Sequence, residues 1–227
     1  MARQSHPSPQ TRVPLSRERV LHAAIALADE GGIDALSMRK LGQELGVEAM
    51  SLYNHVANKD DLLDGMLDVV AEKIDVPAPG ADWKEALRQT AISSHEVLVR
   101  HRWACALLMR RPRVSLVRMR WMEAVLQTLR EAGFSADMTH HAYHALDSHI
   151  TGFTLWQVSM PFETKAELVD LAEGFLQQIP AGEYPYIIEH AEQHLAPSSP
   201  TGKSEFEFGL ELILDGLARL RTQPDWP

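Results

Sequence analysis

Along most of the chain, apolar residues recur every three or four positions, and no stretch alternates with the period of two that a half-buried strand needs. Val20, Ala24 and Leu27 stand at i, i+4 and i+7 behind Ser16, a helix-capping residue, and Gly31-Gly32 closes that run. Ser37 opens a second helix with Met38, Leu41 and Leu45 inward, and Gly46 stops it. A third, short helix is predicted over about 49–55. Asn58 caps a fourth, with Asp60 and Asp61 in its first turn, where the helix dipole favours anions.

"VPAPGAD" (76–82) breaks the pattern, and Asp82 with Glu85 makes a capping box for a helix to about Arg100. "RRP" (110–112) is a further break. Long helices are predicted from Pro112 to Gly133 and from Ser135 to about Ser159, then one over 163–179. "IPAGEYPY" (179–186) and "APSSPTGKS" (196–204) read as loops. The last helix, about 204–221, carries Phe206, Leu210, Ile213, Leu217 and Leu220 at the 4-3-4-3 spacing of a bundle seam.

Within residues 37–56 the spacing is that of a helix-turn-helix. Two short helices crossing steeply need a small residue at the crossing, supplied by Gly42. The turn needs a residue that tolerates positive φ, supplied by Gly46. Leu41, Leu45, Val47, Leu52 and Val56 are the expected apolar contacts. Ala49, Met50, Ser51, Tyr53, Asn54 and His55 are left over, and several of these are poor helix formers and good hydrogen-bonders. They suit a surface that reads base edges in the major groove better than a surface that only folds. Lys59, opening the fourth helix, is placed to reach a phosphate.

A formal net charge of −9 argues against bulk electrostatic attachment to DNA, but its distribution changes that picture. Residues 1–60 hold seven Lys and Arg against seven Asp and Glu, so the whole excess lies in residues 61–227. Arg3, Arg12, Arg17 and Arg19 make a basic arm. One cysteine, Cys105, excludes an intramolecular disulfide and fits a reducing compartment. The start of the chain has no apolar signal segment and no run suits a membrane helix, so the expected location is cytoplasmic.

The run "LHAAIALADEGGIDALSMRKLGQELGVEAMSLYNHVANKDDLLDGML" resembles the DNA-binding domain of the TetR family of regulators, across residues 16–67. The remainder is similar, more loosely, to the tetracycline-repressor type of C-terminal domain: the length, the helical pattern, "EAGFS" before a long helix, and "EYPYI". The resemblance implies an all-α fold: an N-terminal three-helix helix-turn-helix domain plus a larger helical ligand-binding and dimerisation domain. The expected division is a disordered basic arm over 1–14, the DNA-binding domain over 15–60 and the larger domain over 61–223. It also implies a homodimer that leaves a palindromic double-stranded DNA operator when a small molecule binds. The DNA-contacting set would be Arg39, Ala49, Met50, Ser51, Tyr53, Asn54, His55 and Lys59. Of these, Arg39, Tyr53, His55 and Lys59 match the tetracycline-repressor type, while Ala49-Met50 replaces its Gln-Pro, so the operator should differ. Leu107, Arg110 and Asp75 stand where that type holds magnesium–tetracycline, so neither that drug nor a metal is expected.

His95, Trp103, Leu107, Trp121, Met122, His149 and Phe153 are the candidate lining of a ligand cavity, aromatic and Met residues for area and the two histidines for orientation. An apolar or aromatic inducer is expected, with no cofactor. His140, His141, His144 and His149 crowd one helix, and His140 with His144 has the spacing of a zinc pair. A hydrolase motif would need a Glu where His141 stands, so a polar face is the reading adopted. Arg110, Arg111 and Arg113 read as surface charges, and Cys105 as an inert core thiol. Leu146, Ile150 and Phe153, with Ile213, Leu217 and Leu220, are the expected dimer seams. No phosphate loop, nucleophile elbow or catalytic carboxylate pair is found, so the chain reads as a regulator and not an enzyme. An activator of the same fold remains open, as does a His-rich metal-binding protein or enzyme. Neither the inducer nor the operator sequence is legible.

Overall fold

The computed structural model describes residues 14–111, 115–160, 165–180, 182–195 and 204–222. Among them the chain is helical, with no strand. The elements are α1 (Arg17–Gly31), α2 (Met38–Leu45), α3 (Ala49–Leu52), α4 (Lys59–Ala71), α5 (Trp83–Arg100), α6 (Arg102–Arg110), α7 (Leu116–Glu131), α8 (Ala136–Val158), α9 (Lys165–Leu176), α10 (Pro185–Leu195) and α11 (Glu205–Leu220). A single 3-10 turn, Ile33–Ala35, joins α1 to α2. No helix among the described residues is long and apolar enough to cross a membrane. The expected basic arm over 1–14 lies outside them apart from Pro14, as do Pro112 and Arg113.

The caps are where the spacing predicts them. Side-chain oxygens of Ser16, Ser37, Asn58 and Ser135 accept from the backbone N–H of Arg19, Lys40, Asp61 and Met138, and Asp82 Oδ1 accepts from Glu85 N–H. α6 is not among the expected helices, and α10 departs from the sequence reading as well. Pro185 does not lie in a loop but opens α10, because proline at the first helical position sacrifices no hydrogen bond and presets φ.

The chain forms two compact units: residues 1–73 with 101–115, and residues 74–100 with 116–227. The expected boundary at residue 60 therefore differs from the division that the packing makes. In the first unit α4 packs on α1, and α6 returns to pack on both α1 and α4. Its core is Val20, Ala24, Leu41, Leu52, Val56, Leu62 and Met66, all 2% exposed or less.

The second unit is built round α5, α8 and α11, with α7 against α5 and α8, and α9 against α10. Arg88 on α5 holds Glu211 on α11 through two hydrogen bonds, of 2.5 and 3.0 Å, and Lys84 pairs with Asp215. Of the expected dimer seam, Leu146, Ile150 and Leu217 are buried within this unit, while Phe153, Ile213 and Leu220 are half-buried. The apolar side chains left outward on α11 are Phe208 and Leu212, at 63% and 58% exposure. On α8 the outward stripe is Ala145, Ser148, Gly152 and Trp156.

Candidate nucleic-acid interface and ligand domain

The helix-turn-helix is set by two glycines. Gly46 ends α2 in the left-handed region, φ 67° and ψ 33°. Gly42 lies where α2 meets the start of α3: a Cβ there would stand 2.9 Å from Val47 O and 3.1 Å from Ala49 N, both backbone atoms. Gly42→Ala should therefore force the two helices apart and cost about 1–3 kcal/mol, as overpacking does. Thermal denaturation reads this directly, and an unchanged melting temperature would refute the close crossing.

α3 has only four residues, too few to hold a helix by its own propensity. Burial holds it. Leu52 and Val56 are sunk in the core, each contributing roughly 1.5–3 kcal/mol. After Leu52 the backbone tightens: His55 N–H donates to Leu52 O at 2.9 Å and Tyr53 N–H to Met50 O at 3.3 Å. The expected helix to residue 55 is thus a helix to 52 followed by a tight turn. The same anchoring turns the other side chains outward. Met50 is 75% exposed and Tyr53 42%, Asn54 is exposed, and Ala49, Ser51 and His55 are half-buried. Arg39 on α2 and Lys59 at the head of α4 are exposed as well. All eight candidate DNA-contacting residues lie within the first unit.

Arg17, read from the sequence as part of the basic arm, has a different job. Its guanidinium takes both carboxylate oxygens of Asp61, at 2.8 and 2.9 Å, and donates to His55 O at 3.0 Å. Asp61 also accepts from Ala57 N–H. The start of α1 thus fastens the segment that follows α3. Arg111 likewise is not a free surface charge: it pairs with Asp64 at 2.8 Å and Asp60 at 3.0 Å, tying the end of α6 to the first turns of α4. No sequence signal separates these arginines from exposed ones, because their partners are 44 and about 50 positions away.

A polar knot completes the first unit, with His101 and Trp103 buried and Asp29 and Lys73 at its exposed rim. His101, at the non-helical step between α5 and α6, meets Asp29 of α1 through Nδ1, at 2.8 Å, and Lys73 through Nε2, at 3.0 Å. The indole N–H of Trp103 donates to the same Asp29 at 2.7 Å. With Nδ1–H given to the carboxylate, Nε2 is left to accept from the Lys73 ammonium. Trp103 and Leu107, on α6, belong to the first unit. Cys105 on the same helix is fully buried, and burial pushes its thiol up to about 11, as an inert core thiol requires.

In the second unit His95, His149 and Phe153 come together around Phe206 of α11. His95 stacks on the Phe206 ring, centroids 4.0 Å apart, and His149 stacks at 4.9 Å and meets Phe206 O at 2.9 Å. The ring of His149 lies so close to α11 that a Cβ at Gly209 would stand 2.5 Å from it. Trp121 is elsewhere, its indole N–H on Thr90 Oγ1 at 2.9 Å and its ring against Tyr143. Met122 is 40% exposed. His140, His141 and His144 are exposed on α8, and among the described residues no group of three or more side chains could hold a metal ion.

His95 carries a pH dependence. Its Nδ1 lies 2.8 Å from Thr154 Oγ1, whose hydroxyl hydrogen goes to Ile150 O, so Nδ1–H donates to Thr154. Burial first, and the nearby His149 second, hold its pKa below the ordinary histidine value. A lowered folded pKa favours the neutral ring, so stability is full at pH 7.5 and falls as the pH drops below about 6.5, where the unfolded ring protonates. The urea midpoint should drop between pH 7.5 and pH 5.5, and His95→Gln should shrink the drop. An equal drop in the variant would place the acid sensitivity elsewhere.

Residues 20–66 match the family model described as bacterial regulatory proteins, tetR family, and residues 76–221 match that of the tetracyclin repressor-like C-terminal domain. The chain belongs to the TetR family. Among its relatives, the HTH-type transcriptional repressor DrrR1 of Streptomyces coeruleorubidus is 34% identical over 96% of this chain and 82% of that one. The class D tetracycline repressor of Escherichia coli is 35% identical over 89% of this chain and 88% of its own length. Among solved structures, Streptomyces coelicolor ActR in complex with actinorhodin is 31% identical, covers 93% of this chain and all of that one, and superposes with a TM-score of 0.73. As a TetR-family protein the chain is a ligand-responsive, DNA-binding transcription regulator, with the helix-turn-helix in its first unit and a helical ligand domain in its second.

Proposed function

We propose that this regulator is a repressor. It reads a palindromic operator with Ala49, Met50, Ser51, Tyr53, Asn54 and His55, fixes its register on phosphates with Arg39 and Lys59, and leaves when an apolar or aromatic inducer enters the second unit. The observation that carries this reading is the four-residue α3. It is nailed to the core by Leu52 while its polar and apolar remainder faces outward. Relatives named as repressors support the sign of the regulation. Homodimers are typical of the family, and the outward Phe208, Leu212 and Trp156 on α11 and α8 are the surface proposed for the partner copy. Two reading helices must then sit about one helical turn apart, roughly 34 Å, to enter successive major grooves. A ligand that prefers another spacing lowers DNA affinity by its differential affinity for the two states, and by no more.

Nuclease footprinting on DNA flanking the regulator's own gene tests this. Two symmetric half-sites, centred about 10 base pairs apart or a multiple of that, are expected. Protection of a single asymmetric site, or of none, would overturn the palindromic reading.

A further inference from the structure

The head of α4 answers to two demands of opposite sign. Asp60 and Asp61 stand in its first turn and Asp64 one turn on, and carboxylates at this end stabilise a helix through its dipole. Lys59 is the first residue of the same helix and is exposed, and the proposed operator reading sets it on a phosphate. Three carboxylates against one ammonium leave two negative charges at an end that is to meet a polyanion. Two arginines from elsewhere in the chain cancel them. Arg17 of α1 holds both oxygens of Asp61. Arg111, which follows α6, spans Asp64 at 2.8 Å and Asp60 at 3.0 Å, the latter 51 positions away in the chain. Asp60 keeps 77% of its side chain exposed although it is paired, so its charge stays at the surface. An ion pair that exposed adds little to stability, so holding the fold does not account for it.

We propose that Arg111 is a determinant of DNA affinity that acts without touching DNA: it cancels the carboxylates of Asp60 and Asp64 beside the phosphate that Lys59 meets. This rests on the reading of Lys59 as a phosphate contact, and it extends the residues that set affinity beyond the helix-turn-helix to position 111. The effect is Coulombic, so it is blind to base sequence, and salt screens it, with a Debye length of about 10 Å at 0.1 M and about 3 Å at 1 M. Arg17 does the same for Asp61, but it also donates to His55 O and so holds the turn after α3. Its removal would mix charge with shape, which leaves Arg111 as the residue to test.

Charge and position give opposite orders for four proteins. Counted over Lys59, Asp60, Asp61, Asp64, Arg17 and Arg111, the formal charge is zero in the wild type, −1 in Arg111→Gln, +2 in Asp60→Asn/Asp64→Asn and +1 in the triple variant. Fluorescence anisotropy of the whole protein on a scrambled duplex at about 50 mM salt should follow that charge. Asp60→Asn/Asp64→Asn should bind tightest, then the triple variant, then the wild type, then Arg111→Gln, with at least about threefold between the last two. The spread should narrow at about 200 mM salt. A tie that only positions α4 is broken in all three variants, so it puts the wild type first and keeps it first in salt. Asp60→Asn/Asp64→Asn binding no tighter than the wild type overturns the proposal by itself, whether or not Arg111→Gln folds. Lys59→Ala is run beside them. If it is weakened and the ranking fails, Arg111 is only a strut and Lys59 still meets a phosphate. If it binds like the wild type, α4 does not meet the DNA and both readings fall.

Discussion

Glutamate at both Phe208 and Leu212 should make the regulator monomeric and cost it its operator. Each side chain projects from α11 on the face its own unit does not use, with more than half its surface exposed. Two carboxylates in a dimer interface would lose water and find no partner, a penalty of several kcal/mol for each dimer. The folded protomer should survive, because Phe206, Leu210, Leu214 and Leu217 on the opposite face carry the packing of α11. Light scattering should give the mass of one chain and circular dichroism an unchanged helical spectrum. Operator affinity should collapse, since one reading helix then binds without the second. A double variant that remains dimeric would move the interface off α11.

Tyr53→Ala should weaken operator binding by roughly 1–3 kcal/mol with the fold intact. Tyr53 is 42% exposed and sits on the turn held by Leu52 and Val56, so its removal opens no cavity in the core. Lys59→Ala makes the contrast. Without an ammonium to meet a phosphate at the head of α4, binding should weaken for every sequence alike, and its salt dependence should fall by about one ion. Fluorescence anisotropy on operator and scrambled duplexes across salt concentrations separates the two. If Tyr53→Ala binds its operator at full affinity, Tyr53 is not at the DNA.

Much of the reading unit was legible because its determinants are local. Ser16, Ser37 and Asn58 declare their caps within three residues, and Gly42 and Gly46 are demanded by a crossing and a turn a few positions long. What was not legible depends on distant partners. The 4-3-4-3 stripe on α11 is present, but whether Leu217 or Leu212 faces the chain's own core is decided by α5 and α8, more than fifty positions away. Arg17 and Arg111 look like any surface arginine until Asp61, Asp60 and Asp64 are brought to them. Where Trp103 packs was hidden for the same reason: only Asp29 on α1 reveals it. α10 was hidden by a proline that reads as a breaker inside a helix and as a starter at its first position.

The knot of Asp29, His101, Lys73 and Trp103 also dictates where this regulator can be cut. A chimera that borrows only residues 1–75 for its DNA specificity would take Asp29 and Lys73 and leave behind the imidazole and indole that satisfy them, together with the Arg111 that holds α4. During synthesis the same arrangement leaves the knot open until residues 101–111 have left the ribosome. Transplanting its specificity into another scaffold therefore calls for two grafts, 14–73 and 101–111, carried as one piece of matched surface.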